Sequence, residues 1–111
     1  MSKLNVETLR ELERLEVGFL ISMPAPGGER GHYATVEDLL LFEENPEKLY
    51  AKAYGLTLEQ FRDWCAHECS IVCSATTKAG NRCTNFVKGG YQVEASEYLR
   101  RNGEYCASHA R

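Results

Sequence analysis

The chain has 111 residues and a mass of 12.5 kDa, which is the size of one domain or of one domain with an appendage. Hydrophobic residues make up 43% and charged residues 26% of the sequence, and these fractions argue against general disorder. The longest apolar run, residues 18–21, is far shorter than the roughly 20 residues that cross a bilayer. The N-terminus shows no apolar signal core. We therefore expect a cytoplasmic protein that does not enter a membrane.

The net charge of −3 is distributed unevenly along the chain. Residues 1–71 carry 7 basic and 13 acidic side chains, whereas residues 72–111 carry 6 basic and 3 acidic ones. The excess of acids in the first part favours basic partner surfaces. Nucleic-acid-binding proteins usually carry a strong excess of basic residues, and the excess in the second part is small by comparison.

Apolar spacing and capping residues predict three helices before residue 56. The first covers residues 4–16, where leucines recur at spacings of three and four. Thr35 is a good N-cap for the second helix. Asn45, followed by a proline at the first helical position, ends the second helix and begins the third, which runs to Gly55.

Thr57 begins a fourth predicted helix with a capping box, and Leu56 and Phe61 are placed to form a hydrophobic staple around it. Residues 95–102 predict a further short helix near the C-terminus.

Three short segments predict strands. Residues 19–23 form a buried strand in this interpretation, and residues 24–31 form an exposed loop, because two prolines and three glycines cannot sustain a helix. Residues 85–88 and 91–93 predict a β-hairpin closed by a tight two-glycine turn.

Cysteine and histidine residues cluster near the C-terminus. All five cysteines lie after residue 64, and an odd count without a signal peptide favours metal binding over a disulfide framework. Cys73 and Cys83 bracket a polar loop in which Gly80 lets the chain fold back, and Cys106 and His109 are three residues apart. Four such ligands suit the tetrahedral coordination of zinc and leave no open position, so we expect a structural Zn²⁺ ion.

These residues carry a resemblance to a known motif. Two cysteines separated by nine residues with an inner Thr-Lys-x-Gly, followed by Cys-x-x-His, resemble a short three-Cys, one-His zinc motif of small bacterial and phage proteins. The resemblance implies Cys73, Cys83, Cys106 and His109 as ligands and implies no activity. The gap between Cys83 and Cys106 is longer than usual for the motif and holds the predicted hairpin and the last helix.

Two other cysteines leave the ligand set open. Cys69 lies four residues before Cys73, so it is a rival ligand, and it could bind a second ion together with Cys65 and His67. Cys65 and Cys69 also suit small apolar core positions at helical spacing, which is the interpretation we favour.

Together these patterns predict an α+β fold that is mainly α. An acidic helical part over residues 1–70 packs on a zinc-binding module over residues 71–111, which contains a short β-hairpin. We expect the two parts to form one compact unit.

Residues 51–64 are similar to the helix-turn-helix pattern of DNA-binding proteins, with Ala51 and Gly55 four residues apart. The predicted recognition helix, however, presents one arginine among three acids, which repel phosphate more than the arginine attracts it. A well-capped helical hairpin is therefore the favoured interpretation of this segment.

We expect the protein not to be an enzyme. The chain has no phosphate-binding glycine loop, and His32 is a lone histidine without a paired nucleophile, so an enzyme built around His32 is the least favoured of three functions. The favoured function is a zinc-stabilised protein-interaction module whose acidic helical part, including Glu43 and Glu44, covers a protein partner. Small size, acidity and the phage-like zinc motif resemble mobile-element inhibitors of host nucleoprotein complexes, of which anti-CRISPR proteins are one class.

The alternative is a nucleic-acid-binding or transcription-regulatory protein. It would use either the helix pair at residues 46–68 or the basic C-terminal module. The basic residues of that module that we single out are Lys78, Arg82, Lys88, Arg100 and Arg101.

Overall fold

A computed structural model of the chain describes residues 3–109, and the ends of the two predicted parts, residues 1–2 and 110–111, lie outside it. The described residues form a small α+β structure of five helices and one two-stranded antiparallel sheet. The elements are α1 (Val6–Arg14), β1 (Phe19–Ala25), β2 (Gly28–Ala34), α2 (Val36–Glu44), α3 (Pro46–Tyr54), α4 (Leu58–Ala66) and α5 (Ala95–Arg101). No helix within residues 3–109 combines the length and the apolar character that a membrane crossing requires.

The predicted starts of α2 and α3 are confirmed by their caps. The Thr35 hydroxyl accepts from the backbone N–H of Asp38 (3.1 Å), and the Asp38 carboxylate accepts in return from the backbone N–H of Thr35 (3.1 Å). Asn45 accepts from the backbone N–H of Glu47 (3.1 Å), with proline at the first position of α3. Each cap satisfies backbone donors that have no partner inside the helix.

The cap of α4 leads to a first prediction. The Thr57 hydroxyl accepts from the backbone N–H of Gln60 (3.1 Å), and the Gln60 side chain accepts from the backbone N–H of Thr57 (2.9 Å). We expect Thr57→Ala to lower the free energy of unfolding by about 1 kcal/mol, measured by urea denaturation, because an N–H of the first turn loses its acceptor. Thr57→Ser retains the acceptor and should stay close to wild type. Equal stability of Thr57→Ala and Thr57→Ser would show that the cap is not needed.

The sheet differs from the prediction for residues 24–31, which was wrong. Residues 19–23 are extended as predicted but are buried on one face only, because Leu20 is 65% exposed. The strand continues to Ala25 and pairs with β2, from Phe19 opposite Ala34 to Ala25 opposite Gly28. A two-residue turn joins the strands, with Gly27 in the left-handed region (φ 78°). Pro24 has no backbone N–H, but both strands of a two-stranded sheet are edge strands. One side of each strand has no pairing partner, so a missing N–H on that side breaks no hydrogen bond of the sheet.

The predicted hairpin of residues 85–88 and 91–93 does not form in the described structure. Both segments instead contact residues 69–73: Phe86 forms a bridge with Val72, Val87 donates its backbone N–H to Ile71 (2.8 Å), and Val93 donates its own to Cys69 (2.8 Å). Ile71 and Val72 are buried, and this pairing also buries Val87. Burial of apolar surface therefore favours residues 69–73 as the partner over a local hairpin.

The largest core cluster joins residues from both sides of position 70. It contains Trp64 and Phe61 of α4, Ile71 and Val87 of the segment that follows, and Tyr98 of α5. A second cluster lies under the sheet and is built on Ile21, Met23 and Leu49. The predicted division between residues 70 and 71 stays a prediction, and both sides contribute side chains to the same core.

Candidate metal centre

The structure brings the four predicted ligands to one place. One ligand atom from each of Cys73, Cys83, Cys106 and His109 lies within 4.8 Å of every other. The three thiols are buried, with 0%, 5% and 1% of their residue surface exposed, whereas His109 is exposed. Residues up to 36 positions apart therefore converge on a single small volume at the surface of the molecule.

Three of the six distances between the ligand atoms lie close to the edges of a metal-centred tetrahedron, and the other three are no longer than 4.8 Å. The Sγ atoms of Cys83 and Cys106 are 3.9 Å apart, and His109 Nδ1 lies 3.4 Å from Cys73 Sγ and 3.3 Å from Cys106 Sγ. With metal–sulfur and metal–nitrogen bonds of the length that zinc prefers, neighbouring ligand atoms are about 3.5–3.8 Å apart. The four residues can therefore hold one metal ion without a large rearrangement.

The loop between the first two cysteines folds back as its glycine predicts. Gly80 has a φ of 86°, and its backbone N–H donates to the carbonyl of Thr77 (2.9 Å). Cys83 then donates its backbone N–H to the carbonyl of Ala75 (2.8 Å). These bonds return the chain to its starting point, so that the Cys83 thiol lies beside the Cys73 thiol.

Hydrogen bonds from neighbouring groups reach the thiols of the ligand group. The backbone N–H of Ala75 donates to Cys73 Sγ (3.4 Å), and the Asn85 side-chain amide donates to Cys106 Sγ (3.7 Å). Burial raises the pKa of the Cys106 thiol, but hydrogen bonds from Asn85 and from His109 lower it. The lowering outweighs the effect of burial, and the pKa falls to about 6. The thiolate, which is the form that binds metal, is thus stabilised at Cys106.

Asn85 is a contributor that the sequence analysis missed, and it leads to a second prediction. We expect Asn85→Ala to weaken zinc binding about tenfold or more, because groups that hydrogen-bond to a ligand typically have effects of that size. Competition with a chromophoric chelator measures this affinity. Asn81→Ala, four residues earlier and on the other side of Cys83, is the control. Equal zinc affinities for Asn85→Ala and Asn81→Ala would rule out this role.

Cys65 and Cys69 do not join the ligand group in the part of the chain that the structure describes. Cys69 belongs to the main core cluster, and Cys65 packs against it. Burial raises the pKa of Cys65 to about 12 and also raises the pKa of Cys69. His67 directs Nδ1 at the carbonyl of Asp63 (2.8 Å). These contacts agree with the interpretation of both cysteines as neutral core residues.

The alternative nucleic-acid residues divide into two groups. Three arginines have acidic partners: Arg82 with Asp63 (3.0 Å), Arg101 with Glu104 (3.0 Å), and the last pair, Arg100 with Glu97. The two exposed lysines, Lys78 and Lys88, have no ion pair within residues 3–109. Of the five candidates, Lys78 and Lys88 are therefore the two that can bind phosphate without breaking an ion pair seen among residues 3–109.

The remaining candidate residues lie in the helical part. α3 and α4 pack as a helical hairpin, and Arg62, the arginine of the presumed recognition helix, pairs with Glu47 (3.2 Å). Glu44 pairs with Lys48 (2.8 Å) near the end of α2. Glu43 accepts a hydrogen bond from the backbone N–H of Lys3 (3.0 Å). His32 Nε2 lies 3.4 Å from the carboxylate of Asp38, which caps α2.

A scan against protein-family models, a search of curated proteins and a search of solved structures each found no match for this chain. No relative therefore supports the resemblance to phage or anti-CRISPR proteins. The converged Cys3His group stands on its geometry alone.

Proposed function

We propose that the protein is a zinc-stabilised, non-enzymatic protein-interaction module. The observation that carries the proposal is the approach of four ligand atoms to within 4.8 Å of one another. Three thiols and an imidazole form a soft to borderline donor set, which favours zinc over calcium or magnesium. Four protein ligands complete a tetrahedron and leave no position for a substrate, so the ion would stabilise the fold and not catalyse a reaction.

Elemental analysis tests the metal part of the proposal. Protein purified without chelator is expected to contain about one zinc per chain. Substitution by Co²⁺ should give the intense visible absorption of a tetrahedral thiolate site. Protein that folds and remains folded without any transition metal would overturn this part.

An exposed apolar surface on the β-hairpin supports the interaction part. Leu20 and Tyr33 are directly opposite each other across the two strands, and they are 65% and 77% exposed. They are two of the eight exposed large hydrophobic side chains among residues 3–109. We call Leu20 and Tyr33 the outer hairpin surface. Clustered exposed apolar residues commonly mark protein contact sites.

The charge around the outer hairpin surface indicates the kind of partner. Glu29 is exposed and lines a shallow pocket together with Leu20 and Arg30, and the Arg30 charge is paired with Glu94 (2.7 Å). The first 71 residues carry nearly twice as many acidic as basic side chains. A partner with an apolar centre and a basic rim is complementary to such a surface.

We extend the proposal to an inhibitor of a host nucleoprotein complex, of the anti-CRISPR type. The physical support is that an acidic surface competes with nucleic acid for the basic surfaces of such a complex. The small size and the excess of acidic groups at residues 1–71 suit this role.

Retention of host proteins tests the interaction part. A tagged protein is incubated with nuclease-treated host lysate, and bound proteins are identified by mass spectrometry. We expect a partner that is lost with the double variant Leu20→Ser/Tyr33→Ser or with Glu43→Lys/Glu44→Lys. The control is Leu99→Ser, because Leu99 is 43% exposed but lies in α5. A set of bound proteins that is identical for all variants would contradict the proposal.

A further inference from the structure

Two aromatic rings are exposed side by side in the C-terminal segment, away from the outer hairpin surface in sequence. Phe86 and Tyr91 are 39% and 54% exposed, and their ring centroids lie 5.3 Å apart with an angle of 40° between the planes. Large aromatic rings at the surface lose the stabilisation that burial would give them. Two such rings in contact at the surface form an apolar patch of the kind that is found at binding sites.

The turn that carries these rings is held in place by the rest of the fold. Val87 donates its backbone N–H to Ile71, and Gly90 donates its own to Val87, both at 2.8 Å. A Cβ at Gly90 would lie 3.0 Å from Ile71 Cβ and 3.0 Å from the carbonyl oxygen of Val87, so the glycine allows a close approach of the turn to residue 71. Arg101 donates to the carbonyls of Lys88 (2.7 Å) and Gly89 (3.3 Å). The rings are thus presented on a rigid support, which reduces the entropy lost on binding.

A lysine without an acidic partner lies on the same turn. Lys88 is exposed and has no ion pair in the part of the chain that the structure describes. Two carboxylates of the C-terminal segment are already neutralised, because Glu104 pairs with Arg101 (3.0 Å) and Glu94 pairs with Arg30 (2.7 Å). Lys88 is the one charged residue among residues 86–91, so the turn itself carries a positive charge, although the whole chain is acidic.

We propose that Phe86, Lys88 and Tyr91 form a binding site for single-stranded nucleic acid. Bases stack on the exposed rings, and the Lys88 ammonium binds an adjacent phosphate, the combination that proteins use for unpaired strands. Duplex DNA fits poorly, because its bases are stacked inside the helix and its affinity depends on many phosphate contacts. The charge of Lys88 favours a nucleic acid over a proline-rich peptide as the occupant. This site is a second function, independent of the outer hairpin surface.

Binding of labelled oligonucleotides tests the proposal. Zinc-loaded full-length protein is titrated into oligothymidylate and oligouridylate of about 15 nucleotides, followed by fluorescence anisotropy. We expect measurable binding below about 100 μM protein, the upper limit for non-specific nucleic-acid affinity, and weaker binding to duplex DNA. No binding to either single strand at that concentration, or equal binding to duplex, would overturn the proposal.

Single variants assign the binding to this turn. Phe86→Ala and Tyr91→Ala are each expected to weaken binding about fivefold or more, the size of a lost base-stacking contact. Tyr91→Phe retains the ring and should bind as wild type does. Tyr33→Ala removes an exposed ring from the outer hairpin surface and is the matched control. Because Phe86 also forms a backbone bridge with Val72, Tyr91→Ala decides the matter if Phe86→Ala loses structure.

The salt dependence isolates the lysine. For each contact to a single-strand phosphate, raising the salt concentration from roughly 50 to 200 mM lowers the affinity about threefold. Lys88→Gln is expected to remove a dependence of that size, whereas Lys48→Gln, in α3, should not. Equal salt dependence of wild type and Lys88→Gln would refute the phosphate contact. A negative result in these titrations leaves the outer hairpin surface untouched, because that surface is tested with a protein partner.

Discussion

Cys83→Ser is expected to abolish stable zinc binding and to unfold residues 71–109. Structural zinc commonly contributes about 10 kcal/mol to the folding of the segment that binds it, which is as large as the whole stability of many domains. The loop that ends at Cys83 is mostly polar and exposed, so it buries little apolar surface that could replace the metal. Thermal unfolding followed by circular dichroism, together with elemental analysis, measures both effects.

The controls for this prediction come from the chain and from the metal. Cys65→Ser changes a cysteine outside the ligand group and should leave the zinc content unchanged. A strong chelator added to wild-type protein should reproduce the effect of Cys83→Ser. His109→Ala should act in the same direction, because it opens one position of the tetrahedron to water. Wild-type melting and zinc content in Cys83→Ser would show that the Cys3His group does not bind metal.

The helix starts and the ligand group were within reach of sequence reasoning because both depend on short spacings. Thr35, Asn45 and Thr57 cap their helices through backbone groups two or three residues away, so the signal is local. Cys106 and His109 lie on one turn, which places their side chains together whatever the rest of the chain does. The convergence of Cys73 and Cys83 followed from a glycine that reverses the chain between them.

The strand pairing was less accessible because it depends on partners that lie far apart in sequence. Residues 85–88 have the composition of a hairpin strand, yet Val87 pairs with Ile71, 16 positions earlier, where burial is available. β2 reads GERGHYA, a polar, glycine-containing segment with no strand signal of its own. Pairing with β1, which is buried on one face, makes it a strand, and a single-sequence pattern does not show that pairing.

The partners of the basic residues were equally invisible in the sequence. Arg82 pairs with Asp63 across 19 positions, and the same carboxylate accepts from the Tyr98 hydroxyl (2.7 Å). The three residues join α4, the metal loop and α5 at one point. A basic residue in the C-terminal segment can therefore serve an internal ion pair and not a nucleic acid. Of the five residues predicted to bind nucleic acid, the three arginines have acidic partners, and the two lysines have none among residues 3–109.

The second large effect is expected at Trp64, which couples the helical part to the C-terminal segment. Trp64 is fully buried, its ring lies 5.0 Å from that of Tyr54, and its indole N–H donates to the carbonyl of Val93 (3.1 Å). Trp64→Ala is expected to lower the free energy of unfolding by about 3–5 kcal/mol, because a large cavity opens in the core. The carbonyl of Val93 also loses its donor, which adds to the loss.

Trp64→Phe separates the two contributions, because it fills part of the cavity but cannot donate to Val93. We expect it to lie between wild type and Trp64→Ala in urea denaturation followed by far-ultraviolet circular dichroism at saturating zinc. Tyr33→Ala, at a ring that is 77% exposed, should change stability by less than about 0.5 kcal/mol. The Cys3His ligands do not include Trp64, so folded Trp64→Ala should retain its zinc. A loss of zinc without a loss of stability would contradict the core position of Trp64, and so would a stability within about 1 kcal/mol of wild type.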